Sequence, residues 1–208
     1  MFESFDFTKH NNDNDRLTRF VKIYEDALTP AECKHLIDFF EESPDKQLGA
    51  VWTRDGQEVK PELKLVEQIH LPTGSIPDQI VSTSCGKGLL EYTSNFQFYP
   101  PTGATDDGYA VKKYHTGEHY YHWHVDNSAY WTGLRLLAFI WYLNDVAEGG
   151  ETQFEDINLS VKPRQGRLLI FPTSFLYPHR ACIPTSGPKY VVNGFMSYNP
   201  PDHDPVGV

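Results

Sequence analysis

The 208-residue sequence is short of positive charge, of long apolar runs and of cysteine. Eighteen Lys and Arg face 28 Asp and Glu, a formal net charge of −10. Such a surface repels phosphate backbones, so no nucleic-acid partner is expected. The longest wholly apolar run is the eight residues 136–143, far below the roughly 20 that cross a bilayer as a helix. The opening stretch MFESFDFTKHNNDND has neither the basic nor the apolar region of a secretory signal. Cys33, Cys85 and Cys182 are odd in number and widely spaced, with no CxxC. That indicates neither a disulfide framework nor a thiolate zinc site. Together the absences predict a soluble, cytoplasmic globular protein with no membrane partner and a single domain spanning 1–208. No pattern specifies an oligomeric state. One residue type is concentrated: of nine histidines, those at 115, 119, 122 and 124 fall within ten positions.

The chain divides by texture. Residues 1–19 are polar and predicted to fray. Residues 20–24 alternate like a first strand, and Thr29, Pro30 and Glu32 have the spacing of a capping box opening a helix to about Glu42, with Leu36, Ile37, Phe39 and Phe40 on its apolar side. Turn formers in 43–62 surround a short strand near Val51. A second helix is predicted from Pro77 to about Ser94, although Gly86 and Gly88 oppose it. From Phe96 onward, short β-like runs alternate with turns: 96–99, 110–115, 119–125, 134–143, 151–154, 158–162, 167–171, 178–182 and 190–198. The expectation is an α+β, mainly β fold, an antiparallel sandwich or jelly roll braced by the N-terminal helices. Its parts are a helical support over about 20–95, a β core over about 96–198 and a loose tail over 199–208.

The strongest local signal is Tyr121-His122-Trp123-His124-Val125-Asp126. Residues two apart on a strand share a face, so His122, His124 and Asp126 project together while Trp123 and Val125 point away. A histidine and a carboxylate at this spacing suit two adjacent positions on a six-coordinate ion. His179, opening a later strand, is the candidate third ligand. Two His and one carboxylate on one face form the facial triad of non-haem iron(II) oxygenases. His122 is a rival ligand to Asp126, since both share a face with His124. Lys189, ten residues after His179 at the entry to the apolar strand Tyr190-Val191-Val192, is either a solvated edge residue or, near a metal, a counter-charge for a dicarboxylate. His115 and His119 read as strand-surface histidines, Cys182 as a small filler, and Trp123, Trp131 and Trp141 as packing.

These pieces resemble, in order, the iron(II)- and 2-oxoglutarate-dependent dioxygenases of the prolyl 4-hydroxylase family. The matching residues are Tyr114, Tyr121, His124-Val125-Asp126-Asn127, Arg135-Leu136-Leu137, Tyr142-Leu143-Asn144-Asp145, Glu148-Gly149-Gly150-Glu151-Thr152, Val161-Lys162-Pro163, Gly166-Arg167, Phe171-Pro172, His179 and Lys189. They cover about 110–198, and the N-terminal third resembles the family only loosely. The resemblance implies a double-stranded β-helix fold and His124, Asp126 and His179 as Fe(II) ligands. It implies Lys189 and Tyr142 at the distal carboxylate of 2-oxoglutarate, with Tyr114 lining the pocket near the cosubstrate's metal-binding end. His122 would line the pocket mouth.

The same resemblance implies hydroxylation of an unactivated C–H by O2 with release of succinate and CO2, ascorbate as reductant, and a peptide or protein substrate, most simply a prolyl residue. Such enzymes usually carry Trp six residues after the basic anchor, where this chain has Phe195. Segments 52–60 and 99–110 have the Pro, Gly and Asp content of mobile substrate lids or of ordinary surface loops. The Gly149-Gly150-Glu151-Thr152 turn is expected to fix loop geometry. Two rival readings are a hydroxylase of a small molecule or free amino acid, and a non-catalytic jelly-roll module that holds a metal or organic acid.

Overall fold

The computed structural model describes residues 13–96 and 103–198. Most of the expected frayed start, most of the predicted strand 96–99, the first part of the 99–110 segment and the tail lie outside them. Asp13–Thr18, within the stretch predicted to fray, forms a short helix, α1. Strand β1 (Lys22–Tyr24) precedes α2 (Pro30–Glu42). Short strands follow: β2 (Gln47–Leu48), β3 (Val51–Thr53), β4 (Gly56–Glu58), β5 (Lys64–Leu65) and β6 (Glu67–His70), then α3 (Ile76–Ser94). The β region comprises β7 (Ala104–Tyr114), β8 (Tyr120–His124), β9 (Arg135–Tyr142), β10 (Thr152–Phe154), β11 (Leu159–Val161), β12 (Leu168–Pro172), β13 (His179–Ala181) and β14 (Lys189–Tyr198).

Local chemistry sets the helix starts. Thr29 Oγ1 accepts from the Glu32 amide at 3.3 Å, and Glu32 Oε2 accepts from the Thr29 amide at 2.7 Å, so both halves of the capping box form. The backbone and side-chain hydrogen bonds from Thr29 hold the Glu32 carboxyl below its usual range. At α3 the Ser75 hydroxyl accepts from the Asp78 amide, and Pro77 sits in the first turn. The glycines that opposed α3 behave differently. Gly86 is exposed with open space around it, whereas a Cβ on Gly88 would lie 2.6 Å from Leu168 Cδ2. Gly88 thus permits close approach of α3 to the sheet.

All strand pairings are antiparallel. A seven-stranded sheet runs β1-β12-β9-β14-β7-β6-β2, and a five-stranded sheet runs β11-β10-β13-β8-β5. Strands β3 and β4 form a separate hairpin. Side chains alternate between two cores. Leu137, Phe139, Trp141, Leu168, Ile170 and Val192 join Leu36, Phe40, Val81 and Cys85 of the helices in one cluster. Ala138, Tyr142, Leu169, Phe171 and Val191 point the other way and pack with Phe154, Val161 and Tyr177 between the sheets. The apolar run 136–143 is therefore a strand covered on both faces, which leaves no polar alternation to read. Trp141 Nε1 donates to Ser84 Oγ at 2.9 Å, and Ser84 Oγ donates to the Ala27 carbonyl at 2.8 Å, which ties the sheet to α3 with each polar group satisfied.

The two glycines of α3 give a paired expectation. Gly86→Ala should raise unfolding stability by about 0.5–1 kcal/mol, the usual gain at an open helical site. Gly88→Ala should lower it by about 1–3 kcal/mol through overpacking against Leu168. Urea denaturation of both variants checks the contrast.

Candidate metal centre

Strand β8 pairs with β13 so that His124 lies directly opposite His179. Their ring centroids are 4.2 Å apart. Asp126, two residues past the end of the His124 face, brings Oδ1 to 3.7 Å from His124 Nε2 and Oδ2 to 3.5 Å from His179 Nε2. The three ligand atoms all lie within 4.8 Å of one another. Each imidazole is oriented by a backbone oxygen two residues earlier. His124 Nδ1 lies 2.7 Å from the His122 carbonyl, and His179 Nδ1 lies 3.1 Å from the Tyr177 carbonyl. A carbonyl only accepts, so each Nδ1 donates its proton there, and Nε2 is the nitrogen turned toward the other two donor groups. Burial, then the neighbouring His179, holds the His124 imidazolium well below the usual histidine range, so the ring is a neutral donor. The Tyr121 ring stacks on His124 at 3.5 Å, and Phe154 and Phe171 contact His179. Two imidazole nitrogens and one carboxylate oxygen, held by rings and backbone, fit a first-row divalent ion with open positions.

The triad opens on a cavity of about 380 Å³ between the sheets. Its floor is read off two neighbouring strands by their two-residue period: Gly108, Ala110, Lys112 and Tyr114 from β7, and Lys189, Val191, Asn193 and Phe195 from β14. Lys189 is 1 % exposed and lies opposite Tyr114 in the pairing. Its Nζ donates to the Gly150 carbonyl at 2.9 Å and sits 4.1 Å above the Tyr114 ring centroid. It has no carboxylate partner among the described residues, and burial pushes its ammonium down to about 7.

Tyr114 lines the same cavity as the triad, with the Lys189 ammonium over its ring. Other residues stand where the sequence did not put them. Tyr142 is fully buried and does not line the cavity; its hydroxyl donates to Thr152 Oγ1 at 2.7 Å, and Thr152 faces the cavity instead. The glycine turn does more than shape a loop. Gly149 has φ of 74°, a Cβ there would meet the Ile183 oxygen at 2.3 Å, and Gly150 supplies the carbonyl that holds Lys189. His122 is exposed, lines a shallower outer pocket and stands outside the ligand cluster. His115 pairs with Glu67 at 2.8 Å, while His119 is buried against it, so the surface reading of His119 is corrected. Trp141 packs in the core, but Trp131 is 61 % exposed and Trp123 carries the Arg180 guanidinium on its face. Segment 52–60 is largely the β3–β4 hairpin, whose Trp52, Gln57 and Val59 reach the cavity. From Ala104 the 99–110 segment is strand β7 rather than a lid.

Sequence reading placed none of Lys64, Lys112, Arg135, Thr152 and Asn193 in the pocket, yet all of them line the cavity. Two-residue periodicity back from Tyr114 was the available signal for Lys112. Lys64 had none, since the two-residue strand β5 that carries it has no pattern.

The sequence pattern of the 2OG-Fe(II) oxygenase superfamily matches residues 109–197, which contain the triad and Lys189. A probable prolyl 4-hydroxylase 10 of Arabidopsis thaliana is 27% identical over 211 residues, 82% of this chain and 66% of its own length. Prolyl 4-hydroxylase 2 of the same plant is 27% identical over 178 residues, 72% of this chain and 55% of its own. This chain thus spans between about half and two thirds of these relatives. In fold it is similar to a viral collagen prolyl hydroxylase from Paramecium Bursaria Chlorella virus-1, crystallised with 2OG, at TM-score 0.65 and 19% identity over 86% of this chain and 97% of that one. It is also similar to a Trichoplax adhaerens prolyl hydroxylase in complex with a hypoxia inducible factor peptide, at TM-score 0.70 and 19% identity over 88% and 86%.

Mn(II), a redox-stable ion for such a donor set, should bind with one ion per chain, followed by electron paramagnetic resonance. Asp126→Ala should weaken binding by about tenfold or more, whereas His122→Ala should leave it unchanged. The reverse pattern would make His122 the ligand.

Proposed function

We propose that this chain, which carries a 2OG-Fe(II) oxygenase domain over residues 109–197 and has prolyl 4-hydroxylase homologues, hydroxylates an unactivated C–H of a prolyl residue in a peptide or protein. The observation that carries the reading is the shared cavity: the His124, Asp126 and His179 donor atoms and the buried Lys189, which has no carboxylate partner among the described residues, line one space. Fe(II) with 2-oxoglutarate, when bound, supplies the power to oxidise C–H to C–OH with O2, leaving succinate and CO2.

The remaining work belongs to the protein. His124, Asp126 and His179 hold the ion and leave the cavity side open. Lys189 pairs with the far carboxylate of 2-oxoglutarate, a charge-assisted contact inside a dry wall. Thr152 Oγ1 faces the same space, and its bond from Tyr142 aims it. Tyr142 therefore acts through Thr152. Phe195, Ile140 and Val191 give the cavity an apolar wall that keeps water from the reacting C–H. Phe195 keeps an aromatic surface for a proline ring, and the Arg135 guanidinium stacks on it at 3.7 Å. The β3–β4 hairpin, with Trp52 at the mouth, is the element suited to close over substrate. Helices α2 and α3 brace the seven-stranded sheet from outside, and residues 1–208 work as one domain. Ascorbate would serve as the reductant for an ion held by His124, Asp126 and His179. Three unpaired cysteines favour a reducing compartment, the cytoplasm. The complete triad and the buried lysine argue against a non-catalytic module.

Anaerobic Fe(II) and 2-oxoglutarate should give a visible charge-transfer band, and O2 should then give succinate. Proline-containing peptides should gain one oxygen atom by mass spectrometry, and His124→Ala should reduce succinate to background. Undiminished turnover by that variant would falsify the assignment. Only the Lys189 ammonium pairs with the carboxylate, and its free-state value is about 7. Affinity for 2-oxoglutarate should therefore fall as pH rises above 7, by up to about tenfold per unit, until pH passes the raised value in the complex. Calorimetry between about pH 6 and 9 reads this slope. Lys189→Met should remove the slope and keep the Mn(II) affinity.

A further inference from the structure

Beyond the triad and Lys189, the same cavity contains a second cationic group with no assigned partner. Lys112 is 9 % exposed, and its Nζ has no hydrogen-bond acceptor and no ion pair among the described residues. It lies two residues before Tyr114 on the floor strand, about 7 Å along it at the usual strand rise. Lys64 is 7 % exposed and enters from the facing sheet, where it pairs with Tyr121. Its Nζ donates once, to the Ala50 carbonyl at 2.8 Å, and lies 5.1 Å from the Tyr121 ring that stacks on His124. Burial, then the neighbouring Lys64, disfavours the charge on Lys112, with Asp126 acting in the opposite sense. Arg135 is already engaged by Asp107 at 3.6 Å, by the Asp126 carbonyl at 3.3 Å and by the face of Phe195. Asn193, on the adjacent strand opposite Ala110, also lines this floor, and its Oδ1 is buried without a hydrogen-bond donor.

The charge balance has a direction. Among the described residues, Lys64, Lys112, Arg135, Arg180 and Lys189 line the cavity against two carboxylates, Asp107 and Asp126. A divalent ion and a doubly charged cosubstrate offset each other, so the lining keeps three more basic than acidic side chains inside a chain of net −10. Two lysines buried without anions are costly to the free protein, which points to a function that needs them.

We infer that Lys64 and Lys112 form an anion subsite for the substrate, so that the molecule hydroxylated carries a carboxylate beside the oxidised carbon. Asn193 accepts a hydrogen bond from a donor group on that substrate. This rests on the oxygenase reading for its location but not for its recognition chemistry. The carboxylate has two sources: the free carboxyl of a small acid or chain terminus, or an acidic side chain next to the target residue.

Calorimetry on the anaerobic Fe(II)- and 2-oxoglutarate-loaded protein separates them with matched ligands. N-acetylproline against N-acetylprolinamide reads a free carboxyl. Capped peptides with Pro-Glu against Pro-Gln read a side chain. Straight-chain carboxylic acids against their amides omit the ring. At least one acid should bind about tenfold more tightly than its amide. Lys112→Met and Lys64→Met should each reduce that preference to about twofold or less, with 2-oxoglutarate affinity unchanged. Lys112→Met should also raise the thermal midpoint of the unloaded protein, because it removes a buried amino group with no partner among the described residues. The inference is overturned if no acid is preferred, if the preference survives Lys112→Met, or if that variant unfolds at a lower temperature. Repeating the titrations without metal and cosubstrate keeps the two readings apart. An acid preference lost in Lys112→Met with no binding of 2-oxoglutarate would sink the oxygenase reading and leave the subsite standing. Preference confined to the ring-free acids would sink only the prolyl reading.

Discussion

The pairing of Tyr120–His124 with His179–Ala181 puts two histidines opposite each other on strands of five and three residues. Side chains alternate along a strand, so a slip of one residue would turn His124 or His179 out of the cavity and end the site. The short β13 is therefore held from both sides. Phe154 of β10 pairs with His179 from the far edge, and the Phe154 and Phe171 rings pack on the imidazole. The register shift between His179 and Ala181 lets the strand meet Tyr121 while the histidine pair stays aligned. With the register fixed, Asp126 needs only the turn after β8 to complete the donor set.

The rest of the cavity follows from two long strands, β7 and β14. Their common inward parity brings Tyr114, Lys112, Lys189, Val191 and Phe195 to one floor. That floor combines an apolar wall with cations of incomplete partnership, an arrangement that spends stability on binding. The two-sided core offsets the cost. Leu168 to Phe171 serve the helix layer and the sheet interface alternately, and all four are wholly buried.

Much of this was legible because it depends on local rules. The Thr29, Pro30 and Glu32 spacing set the start of α2, and the β runs from residue 110 onward lie within a few residues of the observed strands. The triad was legible from a two-residue period plus the later His179. What escaped depended on who faces whom. Thr152 intercepts the Tyr142 hydroxyl because β10 runs beside it, and nothing local to Tyr142 announces that neighbour. Lys64 enters the cavity from a two-residue strand whose direction is set by its pairing with β8. Trp131 was taken for packing from its residue type, yet it lies on a 3-10 turn at Tyr130–Thr132, close to Trp52 and open to solvent. Net charge is silent about the interior, since a sum over the whole chain does not report which few charges are turned inward.

The run 136–143, too short to cross a bilayer, has a different consequence for the chain before it is folded. It is a strongly β-forming segment without charge or proline, the composition that promotes intermolecular strand pairing when exposed. Its outward residues Leu137, Phe139 and Trp141 are covered by Leu36, Phe40, Val81 and Cys85 from α2 and α3. Those helices precede the run in the chain and so leave the ribosome before it. Order of synthesis thus supplies the cover before the sticky strand emerges, and a chain that begins after α3 would present that face bare to its neighbours.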